Sequence, residues 1–494
     1  MWLWSDACGN ITWIIERKKE EIMSENRNKQ EYVKELVARA RKAQAVADTY
    51  TQEQVDRLTR AVGWALVQEE TVEKIAKFCL EETRMGTYEA KLGKLYKKVR
   101  GVMSDINPQK SVGVVEEDKE LGIRRIAKPV GVIGSLIPTT QPELCPATQG
   151  ILAVKSRNAI IFSPHPRSQR TTCLVAEVIR SVLKRYGAPE DLVICAEHPT
   201  MEMSREIMAQ TDLVIATGGA GMVKAAYSSG TPAYGVGVGN AVVVIDETAD
   251  LKEAAHNVHI SKVFDYASGC SCENSIVVQE GIYDEFIGCL KAEGAYLVTG
   301  EEKPKLQKAL WPQFPENHVL NRDIVTQPAK RIAEIAHIDA VPDDCEFLLV
   351  EETGRGEDYP FSGEKLSVVL AVYKYREFDE AVQIVNEIHA YQGAGHSCGI
   401  QSNDEEHILT LALNTKTTRV MVRQPQSVGN SGDWNNGMPF TGSLGCGTWG
   451  GNIVSENITL KHFLNNTWLS VPIKGTVPDD EELFGDAMRE SAQE

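Results

Sequence analysis

The sequence predicts an α/β protein built from two doubly wound domains, on three observations. Beyond Pro129 short runs rich in β-branched residues alternate with helical segments, the pattern of parallel βαβ units. Near Ala241 to Asp246 the alternation restarts and continues to about Val422, marking a second α/β block. From Gln30 to Met103 the apolar residues recur instead at helical spacing, so a helical layer precedes both blocks.

The chain begins Met1-Trp2-Leu3-Trp4, with Arg17, Lys18 and Lys19 after the apolar part, the reverse of a secretory signal. Two readings fit residues 1–23: a start assigned too early, with Met23 the true beginning, or an amphipathic docking helix around Ile11 to Ile22. In the helical layer Tyr32, Val33, Leu36, Val37 and Ala40 make one stripe. Val55, Leu58, Val62, Trp64 and Leu66 make another, behind the capping-box start Thr51-x-x-Gln54. Ser111 to Val115 and Ile123 to Ala127 read as a small hairpin or flap, turned by the charged run Glu116 to Glu120.

Strands are then expected at Val130 to Ile137, Ala159 to Phe162, Leu192 to Ala196 and Leu213 to Ala216, with helices near Leu144 to Lys155 and from Ser168 to Tyr186. The second block runs through Val277, Leu348 and Val368. Gly429 to Gly451 is rich in Gly and Asn, and a β-prone stretch (Thr467 to Ile473) and an acidic tail (477–494) close the chain. An exposed strand near a terminus is an aggregation hazard unless covered, so this one is expected to pair with a neighbouring subunit's flap, giving a homodimer or homotetramer.

Composition narrows the partners. With 494 residues, 42% of them hydrophobic, the chain is long enough for two or three cores. Apolar stretches such as Ala241 to Ile245 stop far short of the roughly 18 residues of a membrane span. A formal charge of -17 repels phosphate backbones and anionic bilayers, which leaves small molecules and copies of the chain itself. Eleven cysteines, scattered from Cys8 to Cys446 without paired spacing, fit a reducing, cytoplasmic setting.

Four stretches can carry chemistry. The strand Leu213 to Ala216 runs into Thr217-Gly218-Gly219-Ala220-Gly221 and a helix from Met222. Glycines there let N–H groups approach a phosphate favoured by the helix dipole, although the spacing is not G-x-G-x-x-G and ordinary turn chemistry fits as well. Gly235-Val236-Gly237-Val238-Gly239 precedes a strand, which suits close backbone approach to a ligand or a neighbouring strand. Cys270, in Ser268 to Asn274, is either an accessible thiol on a small-residue loop or a buried structural cysteine. His396 is set in the glycine-rich turn Gly393 to Gly399. No metal site is expected: Cys270-Ser271-Cys272 lacks a second pair at zinc spacing, and His256 and His259 read as helix-surface residues.

Taken together these stretches resemble the CoA-acylating branch of the aldehyde dehydrogenase superfamily, from about Gln30 to Gly485. The matching segments include Ala127 to Val132, Lys155 to Ile160, Ala216 to Gly221 with Lys224 to Gly230, and the Cys270 loop. Gly395-His396 and Leu444 to Asn452 with Ser455-Glu456-Asn457 complete the set. The resemblance implies two α/β domains, one for the cofactor (24–112 and 128–246) and one catalytic (247–440), with an oligomerisation flap (113–127 and 453–476). It implies Cys270 as nucleophile, His396 as its assistant, NAD or NADP as cofactor and coenzyme A as co-substrate. Cofactor contacts carried over from the family fall on Thr139, His165, Gly218, Gly219, Gly221, Gly237, Glu364 and Leu366.

Three positions depart from the superfamily pattern. Gly235 stands where hydrolytic members carry the glutamate that activates water, which favours a thiol acceptor. Gln141-Pro142 replaces the Asn-Pro of the oxyanion site; Gln has the same amide donor on a longer arm. Cys272 replaces a serine or alanine and would bond to Cys270 only under strain. The stretches Phe347 to Glu352 and Pro360 to Ser367 resemble the sulfoacetaldehyde group most, so a short aldehyde with an anionic end is expected, sulfoacetaldehyde ahead of succinate semialdehyde and acetaldehyde. Arg423 is the candidate for that end, since a guanidinium binds sulfonate or carboxylate in two bonds; pairing with a surface carboxylate or a CoA phosphate is the alternative. A hydrolytic aldehyde dehydrogenase, an acyl-phosphate reductase and a silent assembly protein are the competing readings.

Overall fold

The computed structural model describes residues 28–491, so the two readings of residues 1–23 lie outside the described residues. The opening layer is helical: α1 (28–47), α2 (Gln52–Ala65), α3 (Glu69–Thr83) and α4 (Tyr88–Ile106). Thr51 caps α2 as its sequence predicts, with Thr51 Oγ1 accepting from Gln54 N–H and the Gln54 side chain accepting from Thr51 N–H. Val55, Leu58, Val62 and Leu66 are buried, whereas Trp64 is 67% exposed. Two residues on from Val62 is about 200° round the helix, so Trp64 does not belong to the core stripe.

The chain then alternates. β1 (Gly113–Asp118), β2 (Ile123–Pro129), β3 (Val132–Ile137), α5 (Leu144–Lys155), β4 (Ala159–Pro164), α6 (Gln169–Arg185), β5 (Val193–Cys195), α7 (Met201–Gln210), β6 (Leu213–Thr217), α8 (Ala220–Tyr227) and β7 (Ala233–Val236) complete the first half. The second half contains β8 (Ala241–Ile245), α9 (Leu251–Val263), β9 (Glu273–Gln279), β10 (Ala295–Leu297), β11 (Phe347–Glu351), β12 (Val369–Tyr375), β13 (Cys398–Gln401), β14 (Val420–Val422) and β15 (Leu464–Ser470). Every residue of β3, β4 and β8 is buried, as strands covered on both faces by crossover helices must be.

Two parallel sheets result, ordered β5-β4-β3-β6-β7 and β10-β11-β12-β9-β8-β13-β14. In the first sheet the connections leave β3 toward β4 on one side and return to β6 on the other. A crevice therefore opens at the carboxyl ends of β3 and β6, the place where an open α/β sheet binds ligands. One core joins the opening helices to the first sheet and another surrounds the second. Among the described residues no helix is long and apolar enough to cross a membrane.

Three local expectations are corrected. The charged run Glu116 to Asp118 is strand, not turn, because Glu117 and Glu116 pair across the hairpin with Arg124 and Arg125 at 2.7 and 2.6 Å; the reversal falls at residues 119–122. The late strand β15 pairs antiparallel with β2 of its own chain, from Leu464 opposite Pro129 to Ser470 opposite Ile123. It completes the flap from within, because the chain returns across the β2–β3 junction. Cys173 on α6 and Cys195 on β5 are joined as a disulfide, a pairing across 22 residues that no sequence motif announces.

Asn158 ties this architecture together. Its Oδ1 accepts from Val130 and Gly131 N–H at 2.8 and 3.0 Å, and its Nδ2 donates to Ser156 Oγ and Phe463 O, both at 2.7 Å. One buried amide thus joins the link before β3, the α5–β4 turn and the segment entering β15. Asn158→Ala strands two N–H donors and a carbonyl, so chemical denaturation is expected to show a loss of about 3 kcal/mol or more.

Candidate active site

The site is founded on charges that a helical wheel reads as a solvated face. Lys91, Lys94 and Lys98 recur at three and four residues along α4, and all three are at least 95% buried. Lys94 Nζ lies 2.7 Å from Asp265 Oδ2 and 2.9 Å from Glu143 Oε1, and Lys91 Nζ lies 2.9 Å from the same Asp265 oxygen. Burial pushes the Asp265 carboxyl up, but Lys94 and Lys91 outweigh it and hold the group at about 2. Glu143 follows the same logic and is also held low, and Lys94 is raised in return against its own burial.

This cluster shapes the loop that carries the thiol. Asp265, Tyr266 and Ala267 all have positive φ, at 51°, 49° and 56°, a run that L-residues avoid. It is held because Asp265 also accepts from Thr87 N–H at 2.9 Å and Ser268 Oγ at 2.6 Å. Two residues later comes Cys270. Its carbonyl would stand 1.8 Å from a Cβ at position 239, so only glycine lets the 235–239 run pass there.

His396 Nε2 lies 3.1 Å from Cys270 Sγ, and His396 Nδ1 lies 2.9 Å from Ser397 Oγ. Burial, with the charges of Arg419 and His389, lowers the imidazole to about 3. Burial above all, then the neighbouring Glu364, raises the Cys270 thiol well above its usual range. The resting pair is therefore neutral on both sides. Arg419 sets the histidine's position by donating to His396 O at 3.0 Å, Gly445 O at 2.9 Å and Asn457 Oδ1 at 2.8 Å. The motif from Leu444 to Asn457 thereby buttresses the histidine turn: a Cβ at 395 would stand 1.8 Å from Cys446 O.

Cys270 opens onto a cavity of about 720 Å³. Thr139, Gln141, His165, Gly218, Gly219, Gly237, Glu364 and Leu366, the positions the family resemblance points to, all line it. Gly221 lies in the first turn of α8, with open space where its Cβ would be. The uncapped N-terminus of α8 behind Gly218 and Gly219, at the carboxyl end of β6, fits the diphosphate of a dinucleotide. Glu364 is the one carboxyl group among the described residues lining the cavity, and burial raises it to about 8 against a hydrogen bond from Gly239 N–H. Position 235 is turned away: a Cβ there would meet Val223 and Tyr227 of α8 at 2.6 and 2.7 Å.

Arg423 is not brought to this cavity. Cys270 and His396 precede β9 and β13, at the amino ends of the parallel sheet, whereas Arg423 follows β14 at the opposite edge and donates to Ser402 O at 2.7 Å. The strand direction separates them, which corrects its expected role with the substrate. The cations that do line the cavity are Lys94, Lys97 and Lys98. Their i, i+3, i+4 spacing on an otherwise amphipathic helix gave no signal, because burial of a lysine is decided by what packs on the helix.

The aldehyde dehydrogenase family profile matches residues 2–319. The chain belongs to the aldehyde dehydrogenase family. It is 47% identical over 455 residues to a sulfoacetaldehyde dehydrogenase from Acholeplasma, covering 92% of this chain and 94% of the relative. An acetylating succinate-semialdehyde dehydrogenase from Clostridium kluyveri is 37% identical, covering 92% and 99%. Among solved structures an acetylating aldehyde dehydrogenase from Geobacillus thermoglucosidasius superposes with a TM-score of 0.87 at 35% identity, covering 92% and 99%. The family resemblance read from the sequence motifs is the one these matches give.

The ion cluster makes a testable link between stability and the aldehyde dehydrogenase site. Asp265→Asn leaves Lys91 and Lys94 with one carboxylate between them, and denaturation is expected to show about 3–5 kcal/mol lost. The folded carboxyl is held below its unfolded value, so its contribution is present above about pH 4 and disappears as pH falls through about 2. The variant should lack that part of the acid slope.

Proposed function

We propose that the protein is an NAD(P)-dependent, CoA-acylating aldehyde dehydrogenase acting on a short aldehyde with an anionic end, sulfoacetaldehyde first. The observation that carries this reading is the Cys270–His396 contact of 3.1 Å in a cavity whose one lining carboxyl group, Glu364, is raised by burial to about 8. With Nδ1 donating to Ser397 Oγ, His396 Nε2 is free to take the thiol proton as Cys270 Sγ adds to the aldehyde carbon. The Gln141 amide and the Cys270 N–H are the donors for the resulting oxyanion. A nicotinamide dinucleotide held at the Gly218–Gly219 turn before α8 would supply the hydride acceptor, and Cys270 would keep the acyl group as a thioester.

Release of that thioester needs a nucleophile. Water is poorly served: Gly235 offers no carboxylate and faces α8, and Glu364 is held mostly protonated at neutral pH. A thiol such as that of coenzyme A is intrinsically more nucleophilic; once the first proton has passed to solvent, His396 Nε2 is positioned to take the incoming thiol's proton and return it to the leaving Cys270 sulfur. The relatives named for sulfoacetaldehyde and succinate semialdehyde support both the CoA acceptor and an anionic substrate.

The flap supports a homodimer or homotetramer. β1 and β15 are its open edges, and Trp468, Leu469, Val471 and Ile473 are exposed along the second. A monodisperse monomer in light scattering would remove this part of the reading.

Assays across short aldehydes are expected to reduce NAD(P) and to form acyl-CoA only when CoA is supplied; free acid formed at equal rate without CoA would point to a hydrolytic enzyme. In the same assay Cys270→Ser should fall to background, and Cys272→Ser, whose thiol is buried and distinct from the His396 contact, should keep most of the activity.

A further inference from the structure

Resting on the reading of this cavity as the aldehyde site, we propose that Lys98 is its anion-binding residue, holding the sulfonate or carboxylate end of the substrate while Cys270 attacks the other. Gly93, Lys94, Lys97 and Lys98 of α4 line the cavity together with Phe264, Ser268 and the loop from Ser427 to Ser431. The three lysines differ in their charge balance. Lys94 shares Glu143 and Asp265 with Lys91, two cations against two carboxylates. Lys97 Nζ pairs with Asp433 at 2.6 Å.

Lys98 has no carboxylate within ion-pairing distance among the described residues. Its ammonium donates to Val428 O and Ser431 O, each at 3.2 Å, and to Gly432 O at 2.6 Å. Carbonyls hold the head in place without supplying a countercharge, so the ammonium form has no ion-pair partner of its own inside a desolvated pocket. Burial, helped by the charge of Lys97 and opposed by Asp433, lowers Lys98 to about 7. A bound anion reverses that cost. A sulfonate oxygen exchanging for one of the two longer carbonyl contacts gains a charge-assisted bond while the short one keeps the side chain aimed.

Two further features fit an anionic tail. Ser427 lines the same wall, and its buried hydroxyl has no hydrogen-bond partner. Gly93, one turn back on α4, leaves open space where a Cβ would stand. Lys98 and Cys270 line one cavity, so an anion held by the ammonium and an aldehyde carbon at the thiol share the same space.

The test compares wild type, Lys98→Met and Lys98→Arg with sulfoacetaldehyde and with uncharged propanal, in the presence of CoA and NAD(P). Lys98→Met is expected to lose about ten- to hundredfold more kcat/KM for sulfoacetaldehyde than for propanal, mainly through KM, and Lys98→Arg should recover part of it. Ethanesulfonate should compete with propanal on the wild-type enzyme and lose at least tenfold in affinity on Lys98→Met. Equal losses for both aldehydes without rescue by arginine would make Lys98 a staple of the 428–432 loop and overturn the proposal. If Lys98→Met does not fold, the wild type decides: propanal oxidation indifferent to ethanesulfonate overturns it, and competition supports it. A wild type that oxidises no aldehyde with CoA fails the functional reading itself, a result distinct from any of these.

Discussion

The buried cluster of Lys91, Lys94, Glu143 and Asp265 is the constraint on which the site depends. Its four members come from three places in the chain: both lysines from α4, Glu143 from the head of α5, Asp265 from the entry to the Cys270 loop. None is stable there alone, since a lone ion in the interior costs several kcal/mol. Together they are neutral, and they bind three segments that chain connectivity leaves far apart. Gln141 stands two residues before one carboxylate and Ser268 three residues after the other, so the cavity-lining Gln141 and the thiol loop share one anchor.

That anchor also explains how a strained backbone persists. Three successive residues with positive φ cost of order 1–3 kcal/mol each, and the segment has no glycine to relieve them. The strain is held because Asp265 is fixed by two ammonium groups, a hydroxyl and a backbone N–H at once. The consequence is a sharp delivery of Cys270 against the Gly239 backbone, where no other residue type fits. The dry surroundings favour the neutral forms of the thiol and of His396.

Much of this was legible in the residues. The capping box at Thr51, the βαβ alternation and the bounds of α5 follow from local propensity and period, which neighbours in space do not alter. The Gly235 to Gly239 run was readable as a close approach, and the structure supplies the partner it approaches, Cys270. The cavity-lining residues Thr139, His165, Gly218 and Gly219 follow strand ends, and a strand end is a local property. Trp64, β15 and Arg423 were misread for a shared reason: period and propensity say that a residue is on a stripe, a strand or a turn, not what lies opposite it.

The sequence by itself determined the two α/β blocks and the family, and it singled out Cys270 and His396, because each rests on short-range patterns of residue type. Only the tertiary structure decided which charges are buried. Lys91, Lys94 and Lys98 look like any basic helix face until α5, the Asp265 turn and the 428–432 loop close over them, and Arg423 looks like an anion binder until strand direction carries it to the far edge. Whether an ion is solvated or enclosed depends on every segment packed around it, and that sum over distant parts of the chain is not written at any one position.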